Sequence, residues 1–135
     1  MSYKAVTDSL FLLNQSPDHR LYTLAEFNHY AVFPILHNKM VIHYEGERPV
    51  GLVTWCWLDS EQSQLFLDEQ YNPEEVDYAR STGEQLWVIE FIAPYGHAMR
   101  IFRDMISLSK STYGSDVDIH WRRLSQPSRL HKRKV

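Results

Sequence analysis

The fold of this chain is constrained most by residues 86–108. They predict a strand that leads through a short loop into an amphipathic helix. Leu86 to Ile92 is an apolar run of strand length, and the turn-forming segment Ala93-Pro94-Tyr95-Gly96 closes it. Apolar residues then recur at helical spacing, at Ala98, Ile101, Phe102, Met105 and Leu108. This order predicts an α/β protein in which helices pack on the faces of a mixed sheet.

The segments before this unit predict two helices, a hairpin and a helical insert. Apolar spacing predicts a helix near the start of the chain, and the capping-box pair Thr23 and Glu26 predicts a second helix from Leu24. Pro34 is expected to kink or divide that helix. Residues 39–58 predict a hairpin with a turn at residues 46–49, and residues 60–71 predict a weak helix.

The end of the chain is basic. A second helix-start signal lies at residues 72–75, and residues 117–121 alternate in the manner of a strand with one solvated face. Six of the 14 Lys and Arg residues, but only one acidic residue, fall in residues 118–135; they are Arg122, Arg123, Arg129, Lys132, Arg133 and Lys134. They suit an acidic partner, a phosphate-bearing partner or a solvated end. We therefore predict a single domain over residues 1–125, followed by a basic C-terminal tail over residues 126–135.

The composition indicates a folded, water-soluble protein. Of the 135 residues, 44% are hydrophobic and 23% charged, close to the averages for globular domains. The sequence has no apolar run of the roughly 20 residues that would span a bilayer, and its start does not resemble a signal peptide. We expect a cytoplasmic protein without a transmembrane segment and without a nucleic-acid partner.

Glu90 is the only charged residue in the apolar run from Leu86 to Ile92. Strict alternation would put Leu86, Val88, Glu90 and Ile92 on one face of the strand. Burying an unpaired charge costs several kcal/mol, so this carboxylate needs a partner. A structural ion pair and a functional acid both satisfy that requirement.

Among seven histidines, His19 differs from the rest by its surroundings. It lies in Ser16-Pro17-Asp18-His19-Arg20, a polar break between two predicted helices, where an imidazole can be accessible and titrate near neutral pH. The histidines show no tight metal-ligand spacing and the chain has a single cysteine, so we predict no metal site.

The predicted start of the helix after Gly96 leaves backbone N–H groups free, which suits an anion or the oxyanion of an attacked thioester. The sequence lacks the glycine-rich pyrophosphate loop of enzymes that use coenzyme A with a GNAT fold. We therefore expect no tightly bound cofactor.

Three segments together resemble the RTX toxin-activating lysine acyltransferases. They are Ser16-Pro17-Asp18-His19-Arg20, then Gly51-Leu52-Val53-Thr54-Trp55, and above all Trp87-Val88-Ile89-Glu90-Phe91-Ile92-Ala93-Pro94-Tyr95-Gly96-His97. Their order and spacing match that family from about Leu10 to about Trp121. In this chain Glu90 and Tyr95 stand where the family pattern has Asp and Phe.

The resemblance implies a GNAT-like fold and transfer of a fatty acyl group from an acyl carrier protein to internal lysines of an RTX-type protoxin. It implies His19 as the catalytic base, or as the acyl carrier, with Glu90 as its carboxylate partner. On this view Ser16, Gly96, His97 and Ala98 bind substrate or the oxyanion. Trp55, Trp57 and Trp87 are candidates to line an acyl channel, and the six basic residues of the chain end are candidates to dock the carrier protein.

Two other functions stay open at this point. A CoA-dependent GNAT acetyltransferase would share the fold, and a non-catalytic relative would only bind a toxin or a carrier protein. A homodimer is an open alternative to a monomer.

Overall fold

The computed structural model describes residues 3–68, 83–123 and 126–134, with side chains through Trp121. The elements, in chain order, are α1 (Tyr3–Gln15), α2 (Leu24–Phe27), a π-helical turn (Asn28–Val32), α3 (Phe33–Leu36), β1 (Met40–Glu45), β2 (Arg48–Leu58), α4 (Ser60–Leu67), β3 (Gln85–Ile92), α5 (Ala98–Tyr113), β4 (Asp118–Arg123) and β5 (Gln126–Lys134). The predicted helix start at residues 72–75 lies outside the described residues.

The five strands form one mixed sheet in the order β1-β2-β3-β4-β5. Neighbouring strands are antiparallel except β3 and β4, which are parallel and are joined by α5. The predicted α/β class with a mixed sheet is therefore confirmed. The predicted hairpin also forms, with a tighter turn at Gly46 and Glu47, where Gly46 has a φ of +62°.

Helix α5 covers one face of the sheet, and α1 and α4 cover the other. On the α5 side the buried cluster consists of Val53, Leu86, Val88, Ile101, Met105 and Ile119. The opposite side holds a cluster around Phe66 of α4 and Trp87, and another around Leu12 and Leu13 of α1. Gly51 allows the close approach of α5, since a Cβ there would lie 2.1 Å from the side chain of Ile101.

The predicted capping box at the start of α2 is confirmed. Thr23 accepts a hydrogen bond from the backbone N–H of Glu26, whose side chain accepts one from Thr23 N–H. The expected kink at Pro34 takes another form, because the helical path continues from Leu24 to Leu36 and widens to a π-helical turn before the proline. The N–H of Phe33 donates to the carbonyl of Asn28, five residues earlier.

The end of the chain forms the last two strands of the sheet. On β4, His120 is half-buried and its ring stacks on Trp87 at 5.4 Å. Residues 126–134 form β5, whose backbone pairs with β4, with Ile119 opposite Arg133. The basic segment is therefore part of the sheet rather than a tail, and apolar periodicity missed it because backbone pairing needs no apolar alternation.

None of the described helices has the length and apolar character needed to cross a membrane.

Candidate active site

His19 and Glu90 come together although they are 71 positions apart in the sequence. The Nε2 atom of His19 lies 2.8 Å from Oε2 of Glu90. His19 sits in the turn after α1, where its own N–H and that of Arg20 both donate to the carbonyl of Ser16. The predicted contact between the two side chains is confirmed, but the expected accessibility of His19 is wrong, since the residue is 8% exposed and Glu90 is 7% exposed.

Both nitrogens of the His19 ring have a partner, and so do both oxygens of Glu90. Ser16 Oγ lies 2.6 Å from His19 Nδ1, and the phenol of Tyr22 donates to Oε1 of Glu90. With an ionised carboxylate beside Nε2, the neutral imidazole carries its hydrogen on Nε2, so Nδ1 has the free lone pair and accepts from Ser16. The four side chains form a continuous chain, Ser16–His19–Glu90–Tyr22.

A β-bulge in β3 sets the direction in which Glu90 points. Glu90 is paired with Thr54 on β2, but the next residue of β2, Trp55, is paired with Val88, which leaves Ile89 as an extra residue. Leu86 and Val88 accordingly face α5, whereas Ile92 packs with Leu12 of α1 on the other face. The predicted common face of Leu86, Val88, Glu90 and Ile92 is therefore wrong, because the bulge interrupts the alternation.

At the same bulge, the backbone N–H of Glu90 forms its hydrogen bond with a side chain. The N–H of Glu90 donates to Oγ1 of Thr54 at 3.1 Å, and Thr54 is fully buried. Buried N–H groups in proteins almost always have a partner. Thr54 therefore supports the backbone position from which the Glu90 carboxylate reaches His19.

A cavity of about 770 Å³ lies next to the pair. On β3, Leu86 and Trp87 pair with β4, and the residues that follow them, from Val88 to Phe91, line the cavity. Its walls combine the polar pair with aromatic and aliphatic side chains, and they consist of His19, Tyr22, Glu26, Tyr30, Phe66, Val88, Ile89, Glu90, Phe91, Ala98, Met99, Phe102, Met105 and Trp121. This volume and lining are typical of sites for small organic ligands.

The start of α5 is at the cavity, as the position of Ala98 in its wall indicates. Gly96 has a φ of +86°, a conformation that suits glycine, and it completes the turn before the helix. His97 precedes the helix, but its side chain turns away and contacts Glu45 at 2.7 Å instead of capping the first turn. The hydrogen bond from His97 lowers the pKa of Glu45 below its ordinary value.

The three tryptophans predicted to line an acyl channel lie outside the walls of this cavity. The indole of Trp55 donates to the hydroxyl of Tyr113, and Trp57 packs edge-on against the same tyrosine ring. Trp87 is fully buried, and its indole donates to Ser63 of α4. Their contacts are those of core residues, and other aromatic side chains form the cavity wall.

Tyr22 is the site residue that sequence reasoning missed. It lines the cavity, and its ring packs edge-on against His19 at 5.3 Å. Burial and the neighbouring Glu90 carboxylate raise the pKa of its phenol well above the ordinary value, so the hydroxyl stays protonated. Its position three residues after His19 was the available signal, because one turn of chain brings such residues together.

The six basic residues predicted to dock a carrier protein lie on two neighbouring strands. Arg122 and Arg123 belong to β4, and Arg129, Lys132, Arg133 and Lys134 belong to β5. In the parts of the chain that the structure describes, no group of three or more His, Cys, Asp or Glu side chains is arranged to hold a metal ion.

The fold and site define a small α/β protein with a buried His–carboxylate pair beside a largely apolar cavity. A sequence profile of the RTX toxin acyltransferase family matches residues 2–133, nearly the whole chain. The chain belongs to that family.

Curated relatives are distant. The lysine-acyltransferase RtxC of Vibrio cholerae serotype O1 is 26% identical over 98 residues, which cover 71% of this chain and 62% of that protein. The RTX-III toxin-activating lysine-acyltransferase ApxIIC of Actinobacillus pleuropneumoniae is 26% identical over 115 residues, covering 78% of this chain and 65% of that one. An uncharacterized protein of Synechocystis sp. is 25% identical over 104 residues, covering 76% of this chain and 69% of the relative. The chain thus spans about two thirds of the length of these relatives.

Proposed function

We propose that this protein transfers a fatty acyl group from acyl-acyl carrier protein to a lysine side chain of an RTX-type protoxin. The single observation that carries the proposal is the buried pair of His19 and Glu90, 2.8 Å apart, in the wall of a cavity of about 770 Å³. Membership of the family and the names of the two lysine-acyltransferase relatives support it.

His19 is the proposed base. A lysine amine has a pKa of about 10.4, so it must lose a proton before it attacks a thioester at neutral pH. The Glu90 carboxylate at Nε2 fixes the tautomer and stabilises the imidazolium that forms, which leaves Nδ1 to take the proton. The Ser16 hydroxyl at Nδ1 can relay it, accepting a proton from the amine as it gives its own to the ring.

The proposed reaction balances as follows. The lysine nitrogen attacks the thioester carbonyl carbon, the C–N bond forms, and the C–S bond breaks when the tetrahedral intermediate collapses. The ammonium group gives up two protons in all, of which one reaches the departing thiolate and the other leaves to solvent. Backbone N–H groups near Gly96 to Ala98 are the proposed donors to the oxyanion, and the position of Ala98 in the cavity wall supports this role.

The base route is favoured here over an acyl-His19 intermediate. To become acylated, the His19 ring would have to attack the thioester with a nitrogen that has no hydrogen-bond partner. In this structure Nε2 contacts Glu90 and Nδ1 contacts Ser16. A proton transfer along hydrogen bonds that already exist requires less rearrangement than displacing one of these partners.

The cavity is the proposed site for the reactive end of the acyl donor. Phe66, Met99, Phe102, Met105 and Trp121 give it an apolar wall, which suits an alkyl chain. The proposal includes a GNAT-like fold. It is supported by the β3-α5-β4 unit, in which two parallel strands pair at Leu86 and Trp87 of β3 and the cavity lies next to the following residues of β3.

The test uses purified protein, acyl-loaded carrier protein and a protoxin, with acylation of lysine read by mass spectrometry. His19→Ala should lower the rate by ~10²–10⁴, and Ser16→Ala should lower it by roughly 10-fold or more if the hydroxyl relays the proton. His37→Ala, at an exposed histidine, is the matched control. Acyl-CoA, in place of the carrier protein, tests the alternative donor.

Because His19 is buried, its replacement also leaves Oε2 of Glu90 without this partner, and each variant therefore needs a thermal melt beside its rate. A folded His19→Ala protein that acylates at the wild-type rate would remove the proposed base. A wild-type protein that binds protoxin without acylating it would instead favour the non-catalytic alternative.

A further inference from the structure

We propose that Tyr22 is a positioning residue for the reaction, which acts by holding the second oxygen of Glu90. The inference rests on the proposed acyl transfer and extends it to a residue outside the His–carboxylate pair. The phenol O–H of Tyr22 donates to Oε1, while Oε2 faces Nε2 of His19. The two oxygens of the carboxylate are thus assigned to different partners.

A glutamate needs such a restraint more than a shorter carboxylate does. Its side chain has three rotatable bonds, and the last of them turns the carboxylate about a broad energy well. One hydrogen bond to His19 leaves that rotation free, whereas a second one on the other oxygen fixes the plane of the group. Tyr22 therefore keeps Oε2 directed at the imidazole in the absence of substrate.

Tyr22 is itself fixed by its surroundings. Its ring packs edge-on against His19 at 5.3 Å and lies 5.5 Å from the ring of Tyr30. Its backbone N–H donates to the carbonyl of His19, and Thr23, the next residue, caps α2. The phenol stays protonated because burial and the adjacent carboxylate raise its pKa, so it remains a hydrogen-bond donor throughout the reaction.

Tyr22 also touches the cavity, so its ring and its hydroxyl have separable roles. Tyr22→Phe removes the hydroxyl and keeps the ring. If Tyr22 acts through Glu90, this variant should lower kcat for acyl transfer by roughly 10-fold, by analogy with the loss that follows when a residue that orients a metal ligand is replaced. KM for the acyl donor should stay within about twofold, because the ring still lines the cavity.

A double-mutant cycle tests whether the effect passes through Glu90. In the Glu90→Ala protein there is no side-chain oxygen for the phenol to hold, so adding Tyr22→Phe should change kcat by less than about twofold further. Tyr44→Phe is the matched control, because Tyr44 also donates its phenol O–H to a carboxylate, that of Asp8, at a place outside the cavity wall. It should leave kcat unchanged.

Three outcomes would overturn the inference. These are a Tyr22→Phe protein with wild-type kcat, an equal loss of kcat with and without the Glu90 carboxylate, and a loss confined to KM. A circular dichroism melt of each variant separates loss of folding from loss of rate. If the wild-type protein itself transfers no acyl group, the proposed function fails, and that result is distinct from all three.

Discussion

The backbone N–H of Glu90 donates to the side-chain hydroxyl of Thr54, 3.1 Å away on the neighbouring strand. The two residues are opposite each other at the point where the extra residue of β3 interrupts the regular alternation. The bulge turns Glu90 away from α5 and toward the turn that carries His19. The threonine hydroxyl thus connects the irregular backbone of the sheet to the chemistry of the site.

Replacing Thr54 should therefore destabilise the protein and slow the reaction together. Thr54→Val keeps the shape but removes the acceptor, and a buried N–H without a partner costs about 1–3 kcal/mol of unfolding free energy. Thr54→Ser, which keeps the hydroxyl, is the matched control. Urea unfolding and acyl-transfer rates check both variants, and a Val variant with wild-type stability would mean that the hydrogen bond to Glu90 is dispensable.

Local patterns could be predicted from the sequence wherever neighbouring residues determine the structure. The capping box at Thr23 and Glu26 is such a case, because its two hydrogen bonds lie within four residues. Physical reasoning also predicted that Glu90 has a partner, since a charge in an apolar strand needs one. That the partner is His19 was implied by the resemblance to the acyltransferase family. The role of each residue in catalysis stays a prediction.

Features that depend on pairing between distant segments could not be predicted in this way. The extra residue at Ile89 exists only in relation to β2, so period-two alternation placed Glu90 on the wrong face. Strand β5 is held by backbone pairing with β4, and its charged sequence carries no apolar signal. The cavity wall is formed by residues from both faces of the sheet and from several helices. Aromatic residues of single strands therefore predicted Trp55, Trp57 and Trp87 as its lining, whereas Phe66 and Phe102 form it.

The stability of the fold should fall in mild acid partly because of His43. Burial lowers the pKa of this imidazole, and Arg100 adds to that effect, while Asp104, whose carboxylate is 3.5 Å away, opposes it. The unfolded chain therefore takes up a proton near the ordinary histidine pKa of about 6.5, before the folded protein does. Stability from this residue is present above that pH and is lost as the pH falls through the lowered folded-state value.

The measurement compares urea midpoints at pH 7.5 and about pH 5.5. His43→Gln removes the titrating group, so its midpoint should fall less than that of the wild-type protein over this interval. His37→Gln, at an exposed histidine, should follow the wild-type dependence. Equal losses in the wild-type and His43→Gln proteins would show that other groups account for the acid sensitivity.

The basic end of the chain should speed the encounter with an acidic carrier protein. Because residues 126–134 pair with β4, deleting them would remove a strand as well as charge, and neutral substitutions are the sharper test. Lys132→Gln with Lys134→Gln should lower the association rate several-fold at low ionic strength, and the difference should shrink as salt screens the charges. Lys4→Gln with Lys110→Gln removes the same charge elsewhere, and an equal effect of the two pairs would leave no special role for β5.

The length of the Glu90 side chain determines how far its carboxylate reaches. The carboxylate contacts His19 through one oxygen and Tyr22 through the other, while the bulge and the hydrogen bond to Thr54 fix its backbone. Glu90→Asp withdraws the carboxylate by one methylene, so it cannot keep both contacts without a backbone shift, and we expect kcat to fall by roughly 10-fold. Glu90→Gln keeps the length but loses the charge that stabilises the imidazolium, so its loss should be smaller than that of His19→Ala. If the Asp variant reached or exceeded the wild-type rate, the site would not be adapted to the longer side chain, and Tyr22 would lose its reason to hold the second oxygen.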